Sequence, residues 1–403
     1  MDHPDDGSLV GALGRAGMRL VLVSSGGGSA AIPRLLTTPG ASDVVVEALV
    51  PYARAAVDRL LGGPQESYCA PRTARRLAMA AWQRAVEPGA PAERAVGAAV
   101  TAALRSREPK RGDHRVIVAV QTLAATHLAE VVLEKSARTR AEEERLAAAL
   151  LLDGVAAVAG HDASEAAGLL RPGETVRRDR VEAAPEWRRL MTGACRVASG
   201  SAACAGEPEP GALVFPGSFD PLHEGHRLMA RIAEEVAERP VEWELSVTNV
   251  DKPALDYAEI RDRAAQFAAG PGGAPPQRLW LTRAPTFLEK LAVFPRATFV
   301  VGADTYVRLA DPRYYGGSAD AAAAAVDTIA REARGLVVFG RVKDGEFQDP
   351  ARLDVPRALR DVTYFVSQRE FRLDISSTEL RREAMLKPDR SVSEARSASD
   401  GTA

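Results

Sequence analysis

From Ala212 onward, short apolar runs alternate with longer amphipathic stretches. The run 212–216 reads as a strand, and 224–237 as a helix whose Leu228, Met229, Ile232 and Val236 share one apolar face. Val241, Trp243, Leu245 and Val247 alternate with Glu242, Glu244 and Ser246, as in a half-exposed strand. Helix 257–269, strand 278–282, helix 286–293 and strand 297–301 follow. Helices across 303–310 and 319–333, strands 335–339 and 361–366, and a short helix from Ser377 complete the series. Such alternation predicts an α/β domain over 212–387, a Rossmann-like doubly wound parallel sheet with ligands at the carboxyl ends of its strands.

The N-terminal half is less regular. Residues 18–23 (MRLVLV) read as a buried strand entering a glycine turn, SSGGGS. Arg72–Arg84 reads as a helix, Arg115–Val120 as a strand, and 127–152 as a long helical stretch. Together they predict a second α/β domain over 1–157. Residues 158–211 lose periodicity and read as a linker or arm, with local helix at Pro185–Thr192. The Ser/Asp/Arg-rich stretch 388–403 reads as a disordered tail.

Composition changes this picture little. A chain of 403 residues holds two or three domains, and 46% hydrophobic with 26% charged residues is ordinary for a globular protein. A net charge of −2 supplies no basic field, so nucleic acid is not expected as a partner. Three cysteines, Cys69, Cys195 and Cys204, have no metal-ligand spacing and fit a reducing cytosol. The acidic start MDHPDDGS is unlike a signal peptide, and the apolar runs 18–23 and 146–159 are too short to span a bilayer. The expectation is a cytoplasmic protein without a membrane partner. Assembly as a homo-oligomer is left open.

Chemistry concentrates in LVFPGSFDPLHEGHRLMA, residues 213–230. A strand delivers the chain to a Gly/Pro loop, and a helix then begins near Glu224. Gly217 allows close approach of backbone to a ligand. The helix start directs free N–H groups and a positive dipole end at the loop. His223 and His226 lie three apart, on one side of the first turn. The arrangement suits a triphosphate.

The segment GSFDPLHEGH (217–226) resembles the HxGH signature of the nucleotidylyltransferase superfamily, in a spelling closest to nicotinate/nicotinamide mononucleotide adenylyltransferases. VGADTYVRLADP (301–312) resembles that family's G-x-D segment, and ISSTELRR (375–382) its late ISSTxxR segment. The resemblance implies transfer of an adenylyl group from ATP to a small phosphate-bearing mononucleotide, with pyrophosphate leaving. His223 and His226 would donate to the α-phosphate. Gly217, Ser218 and Phe219 would line the phosphates, while Gly302 and Asp304 would hold ribose or base. Ser376, Ser377 and Thr378 would meet the β- and γ-phosphates, and Arg381 would add a charge-assisted contact. Lys252 and Arg261 match a lysine–arginine spacing that faces substrate phosphates in the family. Mg2+ bridging the phosphates is implied by the chemistry, and the chain need not supply its ligands. Where many pyridine mononucleotide enzymes carry a stacking tryptophan, this chain has Pro312, with Tyr314 and Tyr315 nearby. Related transferases acting on pantetheine phosphate or making CDP-linked products, and a non-catalytic nucleotide sensor, are the alternatives.

The segments 24–42 and 49–62 resemble the CinA-type nicotinamide-nucleotide amidohydrolase domain. Ser25 takes the nucleophile position and Tyr52 matches. Ser24 stands where that family has a glutamate, Val57 where it has a lysine, and 99–110 lacks the family's glycines. A serine without a neighbouring base is a poor nucleophile. The N-terminal domain is therefore expected to be degenerate, binding or stabilising rather than hydrolysing.

Overall fold

The structure of the chain, a computed structural model, describes residues 8–371 apart from 88, 90, 109, 163, 205, 270–275 and 344–345. The expected ISSTxxR segment with its short helix, and the expected tail, lie outside the described residues. The chain divides into two compact units. Unit 1 takes in Met1–Ala198 together with Val247–Asp262, and unit 2 takes in Ser199–Ser246 and the residues from Arg263 on.

Unit 1 is built on a six-stranded mixed sheet. Its strands are β1 (Arg19–Ser25), β2 (Val45–Leu49), β3 (Ala95–Ala103), β4 (His114–Gln121), β5 (Ala125–Leu133) and β6 (Arg177–Glu182), in the order β2-β1-β3-β4-β5-β6. The pairs β1–β2 and β1–β3 are parallel, and the ladder from β3 to β6 is antiparallel. Helix Pro71–Val86 lies close against β3. A Cβ at Gly97 would come within 2.2 Å of Ala78 O and Trp82 N, so only glycine admits the helix at this distance.

One expectation fails in this unit. The predicted helix 127–152 is in fact strand β5 followed by helix Arg140–Val158. Apolar content alone suits either element. Pairing with β4 draws 125–133 into the sheet, and a Thr139/Glu142 capping box starts the helix later. Within 158–211, read as a linker or arm, Arg177–Glu182 pairs with β5 as the edge strand β6. The local helix at Pro185–Thr192 is present as expected. Residues 247–262 are held within unit 1 by ion pairs Arg75–Asp256 (3.1 Å) and Arg72–Glu259 (2.7 Å) and by Tyr257 Oη donating to Leu123 O (2.9 Å).

Unit 2 follows the predicted alternation closely. Strands β7 (Val197–Ser199, at the point in the chain where unit 1 ends and unit 2 begins), β8 (Leu213–Pro216), β9 (Val241–Ser246), β10 (Leu279–Thr282), β11 (Thr298–Gly302), β12 (Gly335–Phe339) and β15 (Thr363–Val366) form one sheet in the order β15-β12-β11-β8-β9-β10-β7. A hairpin of β13 (Arg341–Lys343) and β14 (Glu346–Gln348), not predicted, precedes β15. From β8 the chain builds outward through β9 and β10, then crosses to β11 and continues through β12 to β15. The direction of winding therefore reverses between β8 and β11, which are parallel neighbours with Leu213 opposite Thr298. In doubly wound sheets a ligand crevice opens at this switch point.

Strand β9 is not half-exposed. Glu242 and Glu244 are buried, with Glu244 fully covered. Glu242 is paired with Arg278 and accepts from Trp280 Nε1; Glu244 is paired with Lys290 and accepts from Thr282. Buried charges persist when partnered in this way.

Candidate functional site

Strand β8 ends at Pro216, and the loop that follows is packed from beneath. The Phe219 ring is fully buried among Phe215, Trp243 and Phe267, with centroid separations of 5.8, 5.3 and 5.3 Å. A Cβ on Gly217 would lie 2.5 Å from that ring. The glycine is thus required by the loop's own packing. The expectation that Phe219 lines the phosphates holds at most for its backbone, since its side chain belongs to the core.

Two residues that sequence reading missed hold the loop from the side. Arg263 donates to Ser218 O (3.1 Å) and lies 3.6 Å from the Asp220 carboxylate. Gln266 donates through Nε2 to Phe219 O (2.9 Å), and its Oε1 accepts from Leu222 N (2.7 Å). Their spacing of three places both on one face of the chain's helical path. Helical periodicity marks such a face, but nothing local says what it meets.

Helix Glu224–Ala237 starts at N-cap His223. The His223 and His226 rings stack 3.7 Å apart at 26°. The His223 backbone N–H donates to His226 Nδ1 (3.3 Å). An accepting Nδ1 carries no proton, so the His226 proton sits on Nε2. The edges of Phe215 and Phe219 back the His226 ring at 6.0 and 5.4 Å. Burial, with smaller contributions from His223 and Arg227, pushes the His226 pKa down to about 3. Burial lowers the His223 pKa as well. Both imidazoles are neutral near pH 7, and each offers one N–H donor without a full charge. The sequence placed these two side chains together, and the structure does so.

Gly302 ends β11 beside this loop and caps helix Ala303–Arg308. A Cβ on Gly302 would meet nothing within 4 Å, so this backbone faces open space. Asp304 is ion-paired with Arg341 in β13, so a role on ribose would require breaking that pair. Tyr315 is pinned through its hydroxyl to Leu309 O (2.8 Å). Arg261 is exposed and paired with its neighbour Asp262 (2.8 Å). Lys252 and Arg261 both fall in the segment grouped with unit 1. Ser376, Ser377, Thr378 and Arg381 lie outside the described residues. Among the described residues, no group of three or more His, Cys, Asp or Glu side chains is placed to hold a metal ion.

In unit 1 the Ser25 hydroxyl donates to Pro51 O (3.0 Å) and is buried. Tyr52 is 69% exposed, and Val57 is buried in the core. The glycine turn after β1 is filled by the Glu144 carboxylate, which accepts from Gly28 N (2.9 Å), Ser29 Oγ (3.0 Å) and Ala30 N (3.2 Å). Two clefts of about 400 and 310 Å³ in this unit share His127, Ala157 and Arg180 and include none of these residues. Among the described residues no helix is long and apolar enough to cross a membrane.

Residues 214–383 match the family model described as cytidylyltransferase-like. No curated protein matches the chain. Among solved structures, a competence-damaged protein (CinA) superfamily protein from Escherichia coli is 16% identical with a TM-score of 0.31, covering 39% of this chain and 94% of that one. A competence or damage-inducible protein from Enterobacter asburiae is 14% identical with a TM-score of 0.31, covering 39% and 98%. One from Agrobacterium tumefaciens is 17% identical with a TM-score of 0.29, covering 39% and 99%. With the HxGH loop at the switch point of its sheet, the chain carries a cytidylyltransferase-like domain of the HxGH nucleotidyltransferase superfamily over residues 214–383.

Proposed function

We propose that unit 2 transfers a nucleotidyl group from a nucleoside triphosphate to a phosphate-bearing acceptor and releases pyrophosphate. The observation that carries this reading is the stacked, neutral His223–His226 pair on the helix start next to the β8/β11 switch point. Nucleotidyl transfer needs alignment and charge stabilisation more than a covalent intermediate. A neutral Nε2–H on His226, held by its packed ring, is a preorganised donor to an α-phosphate oxygen whose charge grows in the transition state. The helix N–H groups add to it. A divalent ion would enter with the triphosphate, since the described residues offer no donor set for one.

ATP as donor and nicotinate or nicotinamide mononucleotide as acceptor are the finer reading. It is supported by the GSFDPLHEGH spelling and by the resemblance of the N-terminal half to an amidohydrolase whose product would be that acceptor. CTP is the second reading, favoured by the description of the matched family model. For unit 1 we propose binding or stabilisation without amide hydrolysis, since the Ser25 hydroxyl is engaged by a main-chain carbonyl. The test is pyrophosphate release with ATP and CTP across an acceptor panel of nicotinate mononucleotide, nicotinamide mononucleotide and pantetheine phosphate. Release with a mononucleotide and ATP supports the finer reading. A melting temperature raised by ATP, with no pyrophosphate from any acceptor, marks a nucleotide sensor instead.

A further inference from the structure

We infer that Arg227 is a phosphate-binding residue of this site, its guanidinium held ready for the triphosphate of the nucleotide. The inference rests on the nucleotidyl-transfer reading above and names a residue that the motif resemblance does not include.

Arg227 follows His226 on helix Glu224–Ala237 and lies four residues after the N-cap His223. Positions 223, 226 and 227 share one face of the first turn. The Nη1 atom of Arg227 is buried and has no hydrogen-bond partner. The Nδ1 atom of His223 is buried in the same way without a partner. Arg227 is also close enough to His226 to help hold that imidazole neutral.

A guanidinium stays charged at any pH a protein survives, so it cannot escape burial by losing its proton. Burying its nitrogen unpaired is costly, and native chains leave few such groups without a reason. The neighbouring carboxylates are not arranged to relieve it. Glu224 is exposed, and Glu234 accepts from Val241 N (2.8 Å). Two orphaned polar nitrogens therefore lie one turn apart on the face that already carries the stacked imidazoles. An oxygen-rich anion would satisfy both, with Arg227 donating from Nη1 and His223 from Nδ1 in the tautomer protonated there. A phosphate group fits better than a single carboxylate, because its several oxygens can also take the free N–H groups of the helix start.

The test uses the full chain and two ligands, inorganic tripolyphosphate and ATP, titrated by calorimetry into wild type, Arg227→Lys and Arg227→Met. The expected result is binding by wild type, a loss of about tenfold or more in Arg227→Met, and an intermediate loss in Arg227→Lys. Without ligand, Arg227→Met should unfold at the same or a higher urea concentration, because it removes a buried nitrogen that has no hydrogen-bond partner. A merely structural arginine would do the opposite. Equal affinity in wild type and Arg227→Met would overturn the inference and leave the transfer reading standing. Lower stability of ligand-free Arg227→Met would overturn it too. Failure of wild type to bind either ligand would overturn the inference together with the ATP reading, leaving CTP as the donor to be tested.

Discussion

Replacing Gly217 with alanine drives a methyl group into the Phe219 ring. The added Cβ would sit 2.5 Å from Cε1 and Cζ and 3.1 Å from Cδ1, about an ångström inside ordinary contact. The ring cannot swing away, since it is fully buried and touches Phe215, Trp243, Phe267 and His226. Overpacking of this kind costs about 1–3 kcal/mol. Had the glycine served only to let a ligand approach, the ligand-free protein would keep its stability. The two accounts separate in a double-mutant cycle with Phe219→Leu, which shortens the offending side chain. Pulse proteolysis across a urea series, with cleavage sites identified by mass spectrometry, reads the unfolding of unit 2 by itself. We expect Gly217→Ala to lower the midpoint in the wild-type background and to cost markedly less beside Phe219→Leu, with a coupling of about 1 kcal/mol. Equal costs in the two backgrounds, within about 0.5 kcal/mol, would refute the packing argument.

Gln266→Leu should leave Phe219 O and Leu222 N without partners and destabilise unit 2 by about 1–3 kcal/mol, read by the same proteolysis. An unchanged midpoint would remove Gln266 as a clamp of the loop. Lys290→Met strands the fully buried Glu244 carboxylate and should cost about 3–5 kcal/mol, most of it recovered in Lys290→Met/Glu244→Leu. A double variant no better than the single would contradict this. His226 has a folded pKa near 3 against an ordinary 6.5, so the unfolded chain takes up the proton first as pH falls. Its contribution is therefore complete above about pH 6.5 and drains towards pH 3, reaching a loss of about 2 kcal/mol at pH 5. The pH slope of urea stability should be shallower in His226→Gln between pH 6.5 and 4, and identical slopes would argue against burial of that imidazole.

The parallel sheet of unit 2 was legible because its strands are short apolar runs and its helices carry one apolar face, so period and length agree. The candidate loop was legible for the same reason: strand, Gly/Pro turn and paired histidines are all local. Unit 1 was harder to read. ATHLAEVVL at 125–133 carries both Ala/Leu/Glu content and β-branched residues, and only its antiparallel partner β4 decides between strand and helix. AVGAAVTAA at 95–103 is a buried strand rich in small residues, where helix Pro71–Val86 presses against Gly97. In β9 the glutamates look like a solvent face, and the partners that let them be buried, Lys290 and Arg278, lie more than thirty residues away. Arg227, Arg263 and Gln266 were invisible for a related reason. Each is an ordinary polar helix residue until the loop it faces, or the partner it lacks, is known. Asp304 shows the converse, since a motif position expected to face ligand is tied instead to Arg341.

The account stands on a donor at 226 poised for a phosphorus centre, and single-turnover pyrophosphate release probes that donor without interference from product departure. With saturating nucleotide and the best acceptor of the panel, a folded His226→Ala protein should turn over on the order of a hundredfold more slowly than wild type. A rate within a few-fold of wild type would mean that this imidazole does not serve the transfer.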